Sequence, residues 1–289
     1  MATRRDRTLA GLLASNVLGG VGLAAGIAVS GLLVQQLSGT SWAGLGSALG
    51  VLGAAVVAVP LARLASTRGR RISMATGYAV AVIGALVTIV GAISSQLWIA
   101  LIGLFLVGST QATTLQSRYA AADLDRGRVS ARTISYVIWA ITIGSVLGPN
   151  MLGPGAGLGR LLGIPELAGP YVIAVAALLA AIAVVIWLVN PPDATTDRHR
   201  EADLADASMP EGGDSPGTKQ PPSAVKHLTI SATAALRWAY GHPTARFAVV
   251  VIAVAHAVMV SLMSMTSVHL RDQGVDLAVI GLVVSLHIL

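Results

Sequence analysis

The sequence predicts an all-α polytopic membrane protein, with a six-span bundle, a cytoplasmic linker and the opening of a second, incomplete bundle. Three observations predict it. Charged residues make up 11% of the 289 residues, whereas soluble domains carry about 25%. Those charges leave six long gaps, Thr8–Ala62, Ile72–Ser117, Thr133–Gly159, Leu167–Pro192, Phe247–Leu270 and Leu277–Leu289. Between Asn190 and Pro243 the composition turns abruptly polar, with seven acidic residues from Asp193 to Asp214.

A helix needs ~20 apolar residues to cross the hydrocarbon core. The two longest gaps therefore each hold two spans, and the next three hold one each. The expected spans are Leu9–Leu37, Trp42–Leu64, Ile72–Ile93, Leu97–Tyr119, Thr133–Gly153, Tyr171–Val189 and Phe247–Leu270. The apolar run after Arg4, Arg5 and Arg7 is too long for a cleaved signal and reads as a retained first helix. Its segments are apolar on all faces, which excludes an outer-membrane barrel of alternating strands. No cysteine is present, so neither a disulfide framework nor a thiolate metal site is available.

All the Lys and Arg except Arg160 and Arg271 fall on one side of a strictly alternating path. Basic loops next to spans are retained in the cytoplasm, so the N-terminus and the loop after span six are expected there. This also accounts for the formal net charge of +6 without nucleic acid, because the basic residues sit at helix ends. The segment from Pro191 to about Pro222 cannot bury enough apolar surface to fold alone and reads as a linker. Val225–Tyr240 is compatible with either a short amphipathic surface helix or more linker. The expected divisions are residues 1–190, 191–243 and 244–289. The run from Leu277 to Leu289 is too short to cross a bilayer and reads as a truncated frame or a partial chain.

Enzyme signatures are absent: no phosphate loop, zinc helix or nucleophile elbow occurs, and no enzyme activity or cofactor is expected. Glycines four apart, at Gly22/Gly26, Gly46/Gly50 and Gly144/Gly148, share helix faces that permit close helix packing. Span five adds Pro149, which removes a backbone donor and weakens the helix beside that smooth face.

At this run the sequence resembles the major facilitator superfamily (MFS) of secondary transporters. Gly144, Gly148, Pro149 and Gly153 match its antiporter motif, with Leu152 in place of one glycine. The loop after span two resembles a second family motif at Leu64, Ala65, Gly69, Arg70 and Arg71, but Ser66 stands at its acidic position. The resemblance implies that Asp123 pairs with Arg70 as a conformational ion pair, the alternative being that both are solvated loop charges. It further implies an MFS-type six-helix N-terminal bundle, two bundles rocking about a midplane site, and export by antiport. The family's arginine in the middle of span four would fall near Leu104 and is missing.

Polar groups inside spans are the candidates for a substrate path, since polarity in hydrocarbon is costly. Span four offers Thr110, Thr113, Thr114 and Ser117 at helical spacing, with Gln111 and Arg118 on an adjoining strip. Arg118 reads as an anchor near the helix end. His256 is the one ionisable group well inside a complete span, on a stripe with Met259, Val260 and Met263. An imidazole can take and release protons near neutral pH, so it is either a proton carrier or a packed, hydrogen-bonded side chain. Asn16 and Asn150 would face a cavity or bond a neighbouring helix.

The expected function is a secondary active transporter of a small organic molecule, exporting by alternating access with proton coupling. The alternative is a membrane scaffold or assembly subunit. Expected partners are the lipid bilayer, a small-molecule substrate and protons. Two Lys beside 17 Arg suggest GC-rich coding, hence a bacterial plasma membrane.

Overall fold

The computed structural model describes residues 4–124, 131–189, 238 and 240–288. Helices α1 (Arg4–Ser38), α2 (Gly44–Arg68) and α3 (Arg70–Ile93) are followed by α4 (Leu97–Val107), α5 (Ser109–Asp123) and α6 (Ala131–Leu147). Next come α7 (Leu152–Leu161), α8 (Gly169–Leu188), α9 (Pro243–Asp272) and α10 (Leu277–Ile288). Among the described residues, seven helical segments are long and apolar enough to cross a membrane, and α10 is a shorter apolar helix. The all-α membrane architecture and its span positions agree with the sequence expectation.

Two of these segments are broken, and each break has a local cause. Span four divides at Gly108–Ser109 into α4 and α5; Gly/Ser pairs are a common kink site. A Cβ on Gly108 would lie 2.0 Å from the Gly50 carbonyl oxygen, so α2 crosses against bare backbone there. Span five divides where Pro149 opens a short tight turn, Pro149–Met151, between α6 and α7. The break leaves the Val146 carbonyl to other donors. It accepts from Asn150 Nδ2 at 2.8 Å and from Ser285 Oγ at 2.8 Å.

The chain divides into two compact units, one of Met1–Pro191 with His256–Leu289 and one of Pro192–Ala255. In the second, Trp238 stacks on His242 with ring centroids 4.1 Å apart, and Arg246 lies 5.9 Å from the Tyr240 ring centroid. The expected linker and the Val225–Tyr240 segment lie almost entirely outside the described residues. In the first unit, α1 is central, with Leu12, Val29, Leu32, Leu33 and Val34 almost fully buried. Tyr78 and Tyr171 are fully buried and tie neighbours to α1, donating to Ser15 O at 3.1 Å and Gly26 O at 3.0 Å.

The α2–α3 turn hinges on Gly69, at φ 91° and ψ 160°, a region essentially restricted to glycine. This lets Arg70 open α3 at once. Arg70 Nη1 donates to Gln116 Oε1 at 2.8 Å, and its guanidinium lies 5.3 Å from the Tyr119 ring centroid on α5. Arg71 donates to the Ile186 carbonyl of α8.

Candidate functional site

A cavity of about 390 Å³ opens within the first unit. Its wall takes Leu23, Ala24 and Ile27 from α1, Gly46, Ser47 and Gly50 from α2, and Leu104 and Val107 from α4. Gly108 and Gln111 continue it on the span-four side, and Ser145 and Pro149 on the span-five side. From the C-terminal end of the chain come His256, Met259, Val260, Met263, Ser264 and Ser267 of α9, with Val284, His287 and Ile288 of α10. Spans one, two, four, five and seven and the short helix α10 thus meet around one space. Small residues on α1 and α2 leave the volume; a Cβ on Gly50 would meet only the Leu104 carbonyl, 3.8 Å away.

One end of this assembly is closed by direct contacts, and it is the end away from the N-terminus. Gln35, in the last turn of α1, donates from Nε2 to Asp272 Oδ1 at 2.8 Å. One turn lower, Gly31 lies against Ser264 and Val268. On the span-five side, Gly153 packs on Ala278, Gly281 packs on Pro149, and Asn150 Nδ2 donates to Ser285 Oγ at 2.7 Å. Gly144 and Gly148 face the other way. They rest on α1 at Val17–Gly20 and Ala24–Ala25. The glycine–proline run of span five therefore contacts α1 with one part and α10 with the next.

The expected path residues divide into two groups. Gln111, His256 and Met263 line the cavity and are half-buried. Asn16, Thr110, Thr113, Thr114 and Ser117 lie outside its lining and are buried between helices. Asn16 Nδ2 donates to Leu12 O at 2.7 Å, and its Oδ1 accepts from Ser117 Oγ at 2.8 Å, joining α1 to α5. Thr113 donates to Ser109 O and Thr114 to Gln111 O, each at 2.8 Å. Such back-bonding satisfies a threonine within its own helix, so these hydroxyls can face an apolar neighbour. Thr110 Oγ1 is buried without a hydrogen-bond partner. Arg118 is exposed near the end of α5. The Asp123 side chain lies outside the described residues, and the described contacts of Arg70 are those to Gln116 and Tyr119.

Ser264 and Ser267 were not among the expected path residues. The signal was present: the stripe from His256 through Val260 and Met263 reaches Ser264 and Ser267 within one further helical turn. His287 lies in α10, which is too short to count as a complete span.

The Major Facilitator Superfamily profile matches residues 9–289. An uncharacterised MFS-type transporter of Bacillus subtilis (strain 168), YdeG, is 34% identical over 98% of this chain and 61% of its own length. A second from the same organism, YddS, also an uncharacterised MFS-type transporter, is 31% identical over 98% of this chain and 61% of its own length. The chain belongs to the Major Facilitator Superfamily. It spans about three-fifths of the length of these two curated relatives.

Proposed function

We propose that these spans form part of the pathway of a secondary transporter, which moves a small organic molecule across a bacterial plasma membrane by alternating access. The observation that carries this is a cavity walled by helices from both ends of the chain, with direct helix contacts at the end away from the N-terminus among the described residues. A rocking transporter needs such a space, with breakable contacts between its bundles. The basic loops support a cytoplasmic N-terminus, which puts the closed end outside and the cavity in communication with the cytoplasm. Export rests on the antiporter-like run Gly144–Gly153. Proton exchange rests on His256, whose imidazole lines the cavity.

The absence of native cysteine makes the reading directly testable. Gln111→Cys is expected to react with a membrane-impermeant maleimide from the N-terminal side, while Thr113→Cys stays protected. Protection of both from both sides favours a scaffold and overturns the transporter reading. For coupling, His256→Ala is expected to remove the response of apolar-dye efflux to an imposed pH gradient in membrane vesicles. Unchanged pH-driven efflux refutes the proton role.

A further inference from the structure

A groove of about 690 Å³ runs along α7 where it meets α8, at the end of the spans away from the N-terminus. Pro154, Gly157, Leu158 and Leu161 of α7 line it, with Ile173 of α8 and the Arg160 side chain. These α7 apolar positions stand at the spacing of one helix face. The step from Leu161 down to Pro154 covers ~10 Å of helix axis. Gly157 keeps the floor open, since a Cβ there would meet nothing within 4 Å.

The rim of the groove is held by backbone. α7 ends where Gly163 adopts φ 68°, its N–H donating to Arg160 O at 3.2 Å while the Ile164 N–H donates to Gly159 O at 3.0 Å. This pair of bonds is a helix-closing motif that suits glycine. Gly159 packs on the returning chain, where a Cβ would lie 3.0 Å from Pro165 O and 3.3 Å from Glu166 Cα. The turn thereby brings two charges together: Arg160 Nη1 donates to Glu166 Oε1 at 2.7 Å, with 64% and 40% of the two side chains exposed.

The pair lies at the depth of lipid headgroups. Leu161 beside it is 86% exposed, and Trp42 and Trp98, at the same end of their own spans, are exposed too; tryptophans gather at the membrane–water interface. An exposed ion pair contributes at most ~1 kcal/mol, so stability gives little reason to set one on this turn. Both groups have capacity beyond their mutual bond. A guanidinium offers a planar fork of N–H donors, and a carboxylate accepts on both oxygens.

We infer that the groove takes a phospholipid whose head carries a phosphate and a primary ammonium. The phosphate accepts from Arg160, the ammonium donates to Glu166, and an acyl chain lies along the face from Leu161 to Pro154. Apolar burial in the groove favours any phospholipid; the head selects among them. A choline head has no N–H to donate, and a glycerol head brings no cation to Glu166. The inference needs the membrane-spanning fold and is independent of the transport reading.

The test is native mass spectrometry of the purified protein, titrated with dioleoyl phosphatidylethanolamine, phosphatidylcholine or phosphatidylglycerol. The ethanolamine lipid is expected to bind about fivefold more tightly than either of the others, as one added hydrogen bond implies. Glu166→Gln should bring ethanolamine and choline lipids to equal affinity. Gly157→Phe, which fills the groove and leaves both charges in place, is the second variant and should weaken all three and remove the preference. Equal binding of ethanolamine and choline lipids to the unaltered protein overturns the inference, and so does a preference that survives in Glu166→Gln. Tightest binding of the glycerol lipid would mean that Arg160 acts alone, which overturns the paired recognition. A preference retained in Gly157→Phe overturns the groove as its location.

Discussion

Substituting Gly281 by alanine tests how α10 is held against the span-five turn. Gly281 packs so tightly on the span-five turn that an added Cβ would lie 2.2 Å from Pro149 O and 2.9 Å from Pro149 C. An ordinary carbon–oxygen contact needs ~3.3 Å or more. Both opposing atoms are backbone, so no rotamer can yield, and α10 must retreat by about 1 Å. The same retreat stretches the Asn150–Ser285 and Ser285–Val146 hydrogen bonds, now 2.7 and 2.8 Å, past useful length. Inter-helix hydrogen bonds in membranes average ~0.6 kcal/mol, and overpacking costs ~1–3 kcal/mol. The closed arrangement should thus lose about 2–4 kcal/mol, a shift of about 30- to 700-fold towards opening at that end. The assay is maleimide labelling of Ser267→Cys, a residue 2% exposed that lies on the cavity wall near the closure. Labelling from the side away from the N-terminus should be slow in the single variant and rise steeply when Gly281→Ala is added. An unchanged rate in a folded double variant would refute the reasoning, because the contacts would then not hold that end shut.

Three other substitutions probe spans one to six. Gly53→Ala would place a Cβ 1.8 Å from Phe105 O, so the α2–α4 crossing should lose ~1–3 kcal/mol, read as a lower thermal midpoint in detergent. Gly157→Ala, with nothing within 4 Å of the new Cβ, should raise the midpoint through helix propensity, by up to ~1 kcal/mol; equal midpoints would contradict the packing argument. Arg70→Lys should lose the planar contact with Tyr119 and weaken the bond to Gln116, costing ~1 kcal/mol. A double-mutant cycle with Gln116→Ala should be non-additive, and strict additivity would remove that coupling.

The span pattern was legible because burial in lipid forbids charge over ~20 residues, a constraint visible without any partner helix. The breaks were partly legible. Pro149 announces its own kink, since a missing donor is a property of the residue. The break at Gly108 depends on how closely Gly50 approaches from α2, which no local pattern records. Gly69 similarly matched a family motif before its backbone angles supplied a reason.

The candidate site was harder to read for a physical reason specific to membranes. In water, the polar face of a helix marks the solvent side, and periodicity alone assigns each face. In a bilayer, the lipid-facing and helix-facing sides are both apolar, and a threonine can hide its hydroxyl on its own backbone. The stripe Thr110, Thr113, Thr114 and Ser117 therefore looked the same in sequence whether it faced a cavity or a neighbouring helix. Only packing separated Gln111 from its neighbours, and only packing brought Asn16 onto Ser117 and Ser285 onto Asn150. Charge exclusion by lipid is a one-body effect, which the sequence carries residue by residue. The choice of which face meets a cavity is a many-body effect, made where helices from both ends of the chain come together.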